Sequence, residues 1–393
     1  MNRIISSLLL FAAIFIIGCS RNHPSTSSLP EIDVTRRFSE REIVLTDIAN
    51  VMYVHLDARN SDFLFRGVIN YVTENTIVVI DRYSHSVLFF SKDGVPKSRF
   101  NRFGNGPEEY FNANIQVIYD EETDEVFVFA GYMPFIQVYS SNGKHKRRLN
   151  LPSGVMVSQM DVFDNQSLIV SDESRRLFIA RPNTSIDDME YLMDSPFFLI
   201  CRTDGQVLHY IPMPTSQNDL SIRFSDGTPL MLAFTDIVRH ADGFLLCNPA
   251  TDTVFLFCRN KNLTPILWKT PPVNKLNPRV VLNNVIETEN FQFFGIQTLT
   301  LDNVGRPRYY VRDKRTGRIY RQRIVLPDFQ GKQFILSPTI YNFFHKNGTH
   351  IELDLQELKQ AYRENRLRGE LRELVSTLNE FEDNNVFALI HFK

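Results

Sequence analysis

The sequence predicts an all-β fold, a six-bladed β-propeller of four-stranded antiparallel blades with a C-terminal helical insertion in the last blade. Three observations carry this reading. Short β-branched and aromatic runs alternate with tight polar turns along nearly the whole chain. Asp93-Gly94, Asn142-Gly143 and Asp204-Gly205 recur after the third run of successive units, the first two about 50 positions apart, a step typical of propeller repeats. The chain also enters and leaves through strand-like segments, so its two ends can share one blade and close a ring without open edges.

The first residues stand apart from the fold. Arg3 supplies a positive charge ahead of the apolar run Ile4 to Ile17, which has the length of a signal-peptide core rather than a membrane span. The run ends in Ile16-Ile17-Gly18-Cys19, which resembles a bacterial lipobox, so residues 1–18 are expected to be a lipoprotein signal and Cys19 the lipidated residue. Residues 19–41 then read as that cysteine and a flexible tether, rich in Ser, Pro, Asn and Thr at its start. A lipid anchor facing the periplasm is the expected location. At 43% hydrophobic the 393-residue chain can bury a large core, and a formal net charge of −2 leaves no basic surplus for nucleic acid.

Residues 42–393 carry the propeller. Met52 to Leu56 is expected to complete the last blade. Blade one holds Arg66 to Val72, Thr76 to Asp81, Ser86 to Phe90 and Val95 to Phe100. Blade two repeats it with Ile115 to Tyr119, Glu125 to Ala130, Pro134 to Tyr139 and Lys144 to Leu149. Blade three has Met156 to Val162, Ser167 to Ser171, a polar insertion, Phe197 to Cys201 and Val207 to Ile211. Blade four runs through Leu232 to Val238, Gly243 to Cys247, Thr253 to Cys258 and Leu263 to Trp268. Blade five is the least regular, with Phe293 to Leu301, Arg308 to Arg312 and Arg318 to Ile324; blade six opens with Gln333 to Phe344 and continues with Thr349 to Leu353. The period then changes: Leu371, Leu374, Val375 and Leu378 have helical spacing, which predicts a helical insertion over 354–382, broken near Gly369. Val386 to Phe392 returns as a strand beside the N-terminal one.

Cys201, Cys247 and Cys258 are expected to be free thiols. If Asn248 opposes Thr253, Cys258 lies opposite Gly243, about 13 Å along the strand from Cys247 and out of disulfide reach.

The segments TDIANVMYVHLDAR (Thr46 to Arg59), VVIDRYSHSVLFFSKDG (Val78 to Gly94), RFGNGPEEY (Arg102 to Tyr110) and NNVFALIHFK (Asn384 to Lys393) resemble the six-bladed propeller lipoproteins of Bacteroides-like bacteria, relatives of the NHL-repeat propellers. The resemblance implies fold and envelope location, but no activity, because that family has none assigned. Where the family usually has Gly-Pro-Gly-Glu, this chain has Gly106-Pro107-Glu108-Glu109.

Two regions are candidate sites. The rim loop with Arg102, Glu108 and Glu109 is either a ligand contact or a blade-to-blade connector, and turn chemistry favours the connector. Asp81, Arg82 and His85 similarly read as a hairpin cap. The central channel is the second region, because one polar residue per inner strand can converge there: Arg66, Asn114, Gln159, Thr235, Gln297 and Thr339. This amide- and hydroxyl-rich set suits a glycan or a peptide from an envelope partner, held by a monomeric binding or scaffold module without cofactor. The rival is a divalent-metal-dependent hydrolase or lyase of the NHL-like or lactonase-like class, with Ca2+ held by Asp161 and Asp236. A third reading makes the C-terminal helix a docking surface.

Overall fold

The structure, a computed structural model, describes residues 29–59, 61–111, 115–130, 133–174, 195–213, 220–231, 233–303, 307–337 and 348–393. The N-terminal segment runs through β1 (Glu31–Asp33), β2 (Glu40–Val44), the single turn α1 (Leu45–Ile48) and β3 (Ala49–His55). Blade one follows as β4 (Gly67–Val72), β5 (Thr76–Asp81), β6 (Val87–Ser91) and β7 (Pro96–Phe100), paired antiparallel in that order. Blade two is β8 (Ile115–Asp120), β9 (Glu125–Ala130), β10 (Phe135–Tyr139) and β11 (His145–Asn150). Blade three is β12 (Val157–Val162), β13 (Ser167–Asp172), β14 (Phe197–Cys201) and β15 (Val207–Tyr210).

A two-stranded ladder, β16 (Ile222–Arg223) with β17 (Pro229–Leu230), precedes blade four: β18 (Asp236–His240), β19 (Gly243–Cys247), β20 (Thr253–Cys258) and β21 (Leu263–Thr270). Blade five is β22 (Val280–Glu287), β23 (Phe291–Thr298), β24 (Arg308–Asp313) and β25 (Ile319–Val325), and β26 (Gln333–Phe334) pairs with the end of β25. The ring closes with β27 (Gly348–Leu353) and β28 (Val386–Phe392), joined by α2 (Leu355–Arg363) and α3 (Gly369–Thr377). β28 lies between β27 and β3, with Val386 opposite His55 and Phe392 opposite Ala49, so the last strand closes the ring against the N-terminal strand β3.

The fold is therefore a propeller of four-stranded antiparallel blades, with three corrections. Five blades have four strands rather than six; among the described residues the last position of the ring holds a three-stranded closing sheet. Of the expected opening strand Gln333 to Phe344, Gln333–Phe334 pairs with blade five, and residues 338–344 lie outside the described residues. The inner strand of blade five is Val280–Glu287, which the sequence reading passed over because its Asn283-Asn284 pair interrupts the apolar pattern. The helical insertion is small: two nine-residue helices that bury Leu355, Leu358, Ala361, Leu371 and Val375 against their own sheet, with Tyr362, Leu374 and Leu378 partly buried beside them.

Apolar residues fill the spaces between neighbouring sheets. Phe89, Phe127, Val138, Val170 and Phe198 belong to one cluster through blades one to three; Leu199, Leu246 and Phe257 join blades three and four. Phe293, Leu353 and Ile390 join blade five to the closing sheet, which meets blade one through Val54, Phe387 and Phe90. Second strands such as Thr76–Asp81 and Ser167–Asp172 thus bury both faces and have no exposed position, while the outer strands keep one face towards solvent.

The turn glycines do more than reverse the chain. A Cβ on Gly94 (φ 84°) would stand 1.9 Å from the His55 carbonyl oxygen; one on Gly143 would stand 2.4 Å from Phe100 Cβ, and one on Gly205 2.4 Å from the Asn150 oxygen. Each turn is pressed against the last residue of the preceding sheet's outer strand, where only glycine fits. Blades four and five are joined differently. β1 adds parallel to β21, with Ile32 opposite Lys269, and β2 adds parallel to β25, with Ile43 opposite Ile324. Cys201, Cys247 and Cys258 form no disulfide among the described residues, and Gly243 does stand opposite Cys258.

Candidate binding site at the channel mouth

The first strands of successive blades, β4, β8, β12, β18 and β22, touch one another around the axis. Their polar residues act as joints between blades. Asn70 Oδ1 accepts from the Val117 amide, Gln116 Nε2 donates to the Ser158 carbonyl at 2.6 Å, and Gln159 Oε1 accepts from the Ile237 amide at 2.6 Å. Thr235 is fully buried and donates through both N and Oγ1 to Glu173 Oε1 at 2.5 Å. Buried polar atoms are stable when so paired, and here each pairing spans a blade boundary.

The channel candidates therefore separate. Gln159 and Thr235 lie in the channel but are bound to neighbours. Gln297 stands on β23, one strand out from the axis, where its Oε1 accepts from Asn283 Nδ2 at 2.8 Å. Arg66 is exposed just before β4, its guanidinium 5.6 Å from the Tyr83 ring centroid. Cys19, Asn114 and Thr339 lie outside the described residues.

The rim loop is clamped to blade two. Gln137 donates to the Pro107 and Glu109 carbonyls, Tyr139 Oη to the Glu108 carbonyl at 2.7 Å, and Arg102 Nε to the Gly143 carbonyl at 3.0 Å. Glu109 Oε2 accepts from the Gly106 amide inside the loop. The Glu108 carboxylate points outward, 3.6 Å from His145. Asp81 caps its hairpin: burial alone would raise its carboxyl, but the Ser84 hydroxyl and the Arg66, Tyr83 and Ser84 amides hold it below the usual range.

At the end of the channel where β4, β8 and β12 finish, the walls open into a cavity of about 390 Å³. Arg239 lines it and is paired with the buried Asp161. Arg239 Nε and Nη2 each stand 2.5 Å from an Asp161 oxygen, Tyr71 Oη donates to Oδ1 at 2.8 Å, and the Tyr71 ring lies 4.4 Å from the guanidinium. Burial pushes the Asp161 carboxyl up to about 8 and the Arg239 guanidinium down to about 9, the nearby Arg259 charge adding to the second and opposing the first. The fork-to-fork contact opposes both shifts by favouring the charged forms.

Two more arginines face this mouth. Arg202, nearly buried, donates through Nη2 to Asp120 at 2.6 Å, Glu125 at 2.9 Å and Thr123 at 3.0 Å. Arg259 lies over the Phe163 and Phe244 rings at 5.5 and 5.0 Å and donates to the Phe163 carbonyl. Among the described residues Arg259 pairs with no carboxylate, and its side chain reaches solvent. Glu121, on the opposite wall, is taken by Thr76 Oγ1 at 2.5 Å and Thr73 Oγ1 at 2.9 Å. Sequence reading nominated none of these arginines, because Arg239 meets Asp161 only across 78 positions of chain.

A divalent cation does not fit. Both Asp161 oxygens face a guanidinium, Asp236 is half-buried at the start of β18, and no cluster of three or more His, Cys, Asp or Glu among the described residues has metal-holding geometry. No helix among those residues is long and apolar enough to cross a membrane.

Comparison with known proteins agrees with this architecture. No curated protein matches the chain. An exported protein from Bacteroides fragilis has a similar structure at TM-score 0.60 and 14% identity, covering 93% of this chain and 99% of its own. A DUF4221-family protein from Bacteroides vulgatus aligns at TM-score 0.48 and 11% identity, over 88% and 97%. Virginiamycin B lyase from Staphylococcus aureus aligns at TM-score 0.39 and 9% identity, over 87% and 99%. At 14% identity the likeness to the Bacteroides fragilis protein speaks for the fold alone. The family pattern described as "Domain of unknown function (DUF4934)" matches residues 29–391, and the chain belongs to that family.

Proposed function

We propose that this chain is a binding module: a monomeric propeller, held outside the cytoplasm by a lipid on Cys19, that takes a polar ligand at the channel mouth. The observation that carries the reading is Arg259, a solvent-reaching guanidinium held over two adjacent aromatic rings and left without a carboxylate partner among the described residues, at the edge of a cavity of about 390 Å³. A cation held this way is a preorganised donor for carboxylate, hydroxyl or carbonyl oxygens. An acidic glycan, or a peptide ending in a carboxylate, has that chemistry. The signal sequence, the tether composition and the exported relative support the location.

The test is calorimetric titration of the full chain with acidic and neutral oligosaccharides and with C-terminal-carboxylate peptides. Arg259→Ala is expected to weaken the best ligand about tenfold or more, with the melting temperature unchanged. Retained affinity in that variant would move the site away from the mouth. Metal addition is expected to leave both affinity and melting temperature unchanged, and a calcium-dependent rise in either would revive the enzymatic reading.

A further inference from the structure

We infer that the opposite face of the ring carries a second, independent site, a groove that binds a basic peptide segment of a partner protein. β4 starts at this groove and ends at the mouth, so the two sites are separated by the length of the strand, roughly 20 Å.

The groove, about 850 Å³, lies between the start of blade one and the segment that follows α3. Its floor is built. Asn384 is buried and donates to the Leu56 and Phe63 carbonyls at 2.7 and 3.0 Å, while its Oδ1 accepts from the Phe65 amide at 3.0 Å, so no reorganisation is needed before a ligand arrives. On its walls stand Phe381, 80% exposed, and Tyr83, 76% exposed. These are the two most exposed aromatic side chains among the described residues, and both border the same groove. Exposed rings gathered at one concavity mark an interaction surface rather than random surface composition.

Charge decides the partner. Glu352, Asp354, Glu380 and Asp383 line the wall from the closing sheet and helices, and their hydrogen bonds come mainly from neutral groups: the Asn385 amide to Glu352 at 2.7 Å, the Glu357 amide to Asp354 at 2.8 Å, the Asn379 amide to Asp383 at 2.7 Å. Glu380 meets Arg363 at 3.5 Å, and Asp383 stands 3.5 Å from His55, whose imidazole burial holds below its usual value. Arg66 and Arg82 stand on the far wall and leave the acidic side in excess. Aromatic rings beside unneutralised carboxylates match lysine or arginine side chains with apolar neighbours, by ion pairing and cation–π contact together.

The experiment is fluorescence anisotropy of a labelled peptide of alternating lysine and leucine, added to the full chain, with the glutamate–leucine counterpart as control. The lysine peptide is expected to bind and the glutamate peptide not. Glu352→Gln with Glu380→Gln, and separately Phe381→Ala, are each expected to weaken binding at least about fivefold; these side chains lie at the surface, so melting curves should match the parent. Arg259→Ala, and a double variant of two glutamates that line the mouth cavity, Glu74→Gln with Glu122→Gln, are expected to bind unchanged, which separates this site from the mouth. Absence of binding, undiminished binding in the groove variants, or an equal loss in the mouth pair would each overturn the inference.

Discussion

Blades one to three and the half of the ring embraced by the N-terminal segment join neighbouring sheets by two different devices. In blades one to three a glycine turn at positive φ is pressed against the outer strand of the sheet before it, leaving no room for a side chain. In blade five the corresponding turn has space, since a Cβ on Gly317 would meet nothing nearer than 4.0 Å, and in blade four the turn carries Lys261 at positive φ in place of a glycine. There β1 and β2 cover the outer edges as added parallel strands. The outer strands of blades one and two instead present Lys97, Arg99, Lys146 and Arg148, charges that discourage strand addition. The lesson is that the first half is fastened by local turn chemistry, and the second by a segment more than 200 positions away.

The most severe way to break that comparison is to unfasten the segment. Ile32→Asp with Ile43→Asp places carboxylates at two buried positions on β1 and β2 and is expected to lower stability by about 5 kcal/mol, read as a shift in the urea midpoint. A loss below about 1 kcal/mol would mean that the segment is mere decoration. Next comes Gly94→Ala, expected to lower stability by about 4 kcal/mol through overpacking against His55 together with strain at positive φ. Gly317→Ala, with the same unfavourable φ but open space, is expected to lower it by only about 1 kcal/mol. Equal effects would show that backbone strain, not the joint, governs these turns.

Acid sharpens the comparison further. His55, His240 and His350 all lie in the second half or closing sheet, and burial pushes each imidazole below its usual value, His350 to about 4. The unfolded chain takes up these protons first, so their effect is absent above about pH 6.5 and stability falls as pH drops from there towards 4. For His350 alone the loss reaches about 3 kcal/mol. In blades one and two, hydrogen bonds to Asp81 and Glu121 and arginine contacts to Glu125 outweigh burial and hold those carboxyls low, so their stabilisation persists down to the lowest pH of this window. Hydrogen exchange at pH 5 is therefore expected to open the closing sheet and blade four before blades one and two. His350→Gln should flatten the stability slope between pH 6.5 and 4, and an unchanged slope would remove His350 as its source.

Much of this architecture is legible along the chain because its signals are local. Asp93-Gly94, Asn142-Gly143 and Asp204-Gly205 announce hairpins through the φ that glycine alone adopts freely, and the β-branched runs around them announce strands with both faces buried. The pairing of the two chain ends followed from the strand-like segments at each end. Blade five was misread where paired asparagines interrupt its inner strand, and blade counting failed at the last position because Gln333–Phe334 was claimed by β25. The sequence by itself determined the turn chemistry, the strand periodicity and hence the propeller class. Only the tertiary structure decided which polar residues are joints and which face a cavity: Gln159 meets Ile237, Asp161 meets Arg239, and Arg202 meets Asp120, each across 78 or more positions of chain. Hydrogen bonds and ion pairs act over about 3 Å of space, and separation along the sequence carries no trace of which distant partner will occupy that distance.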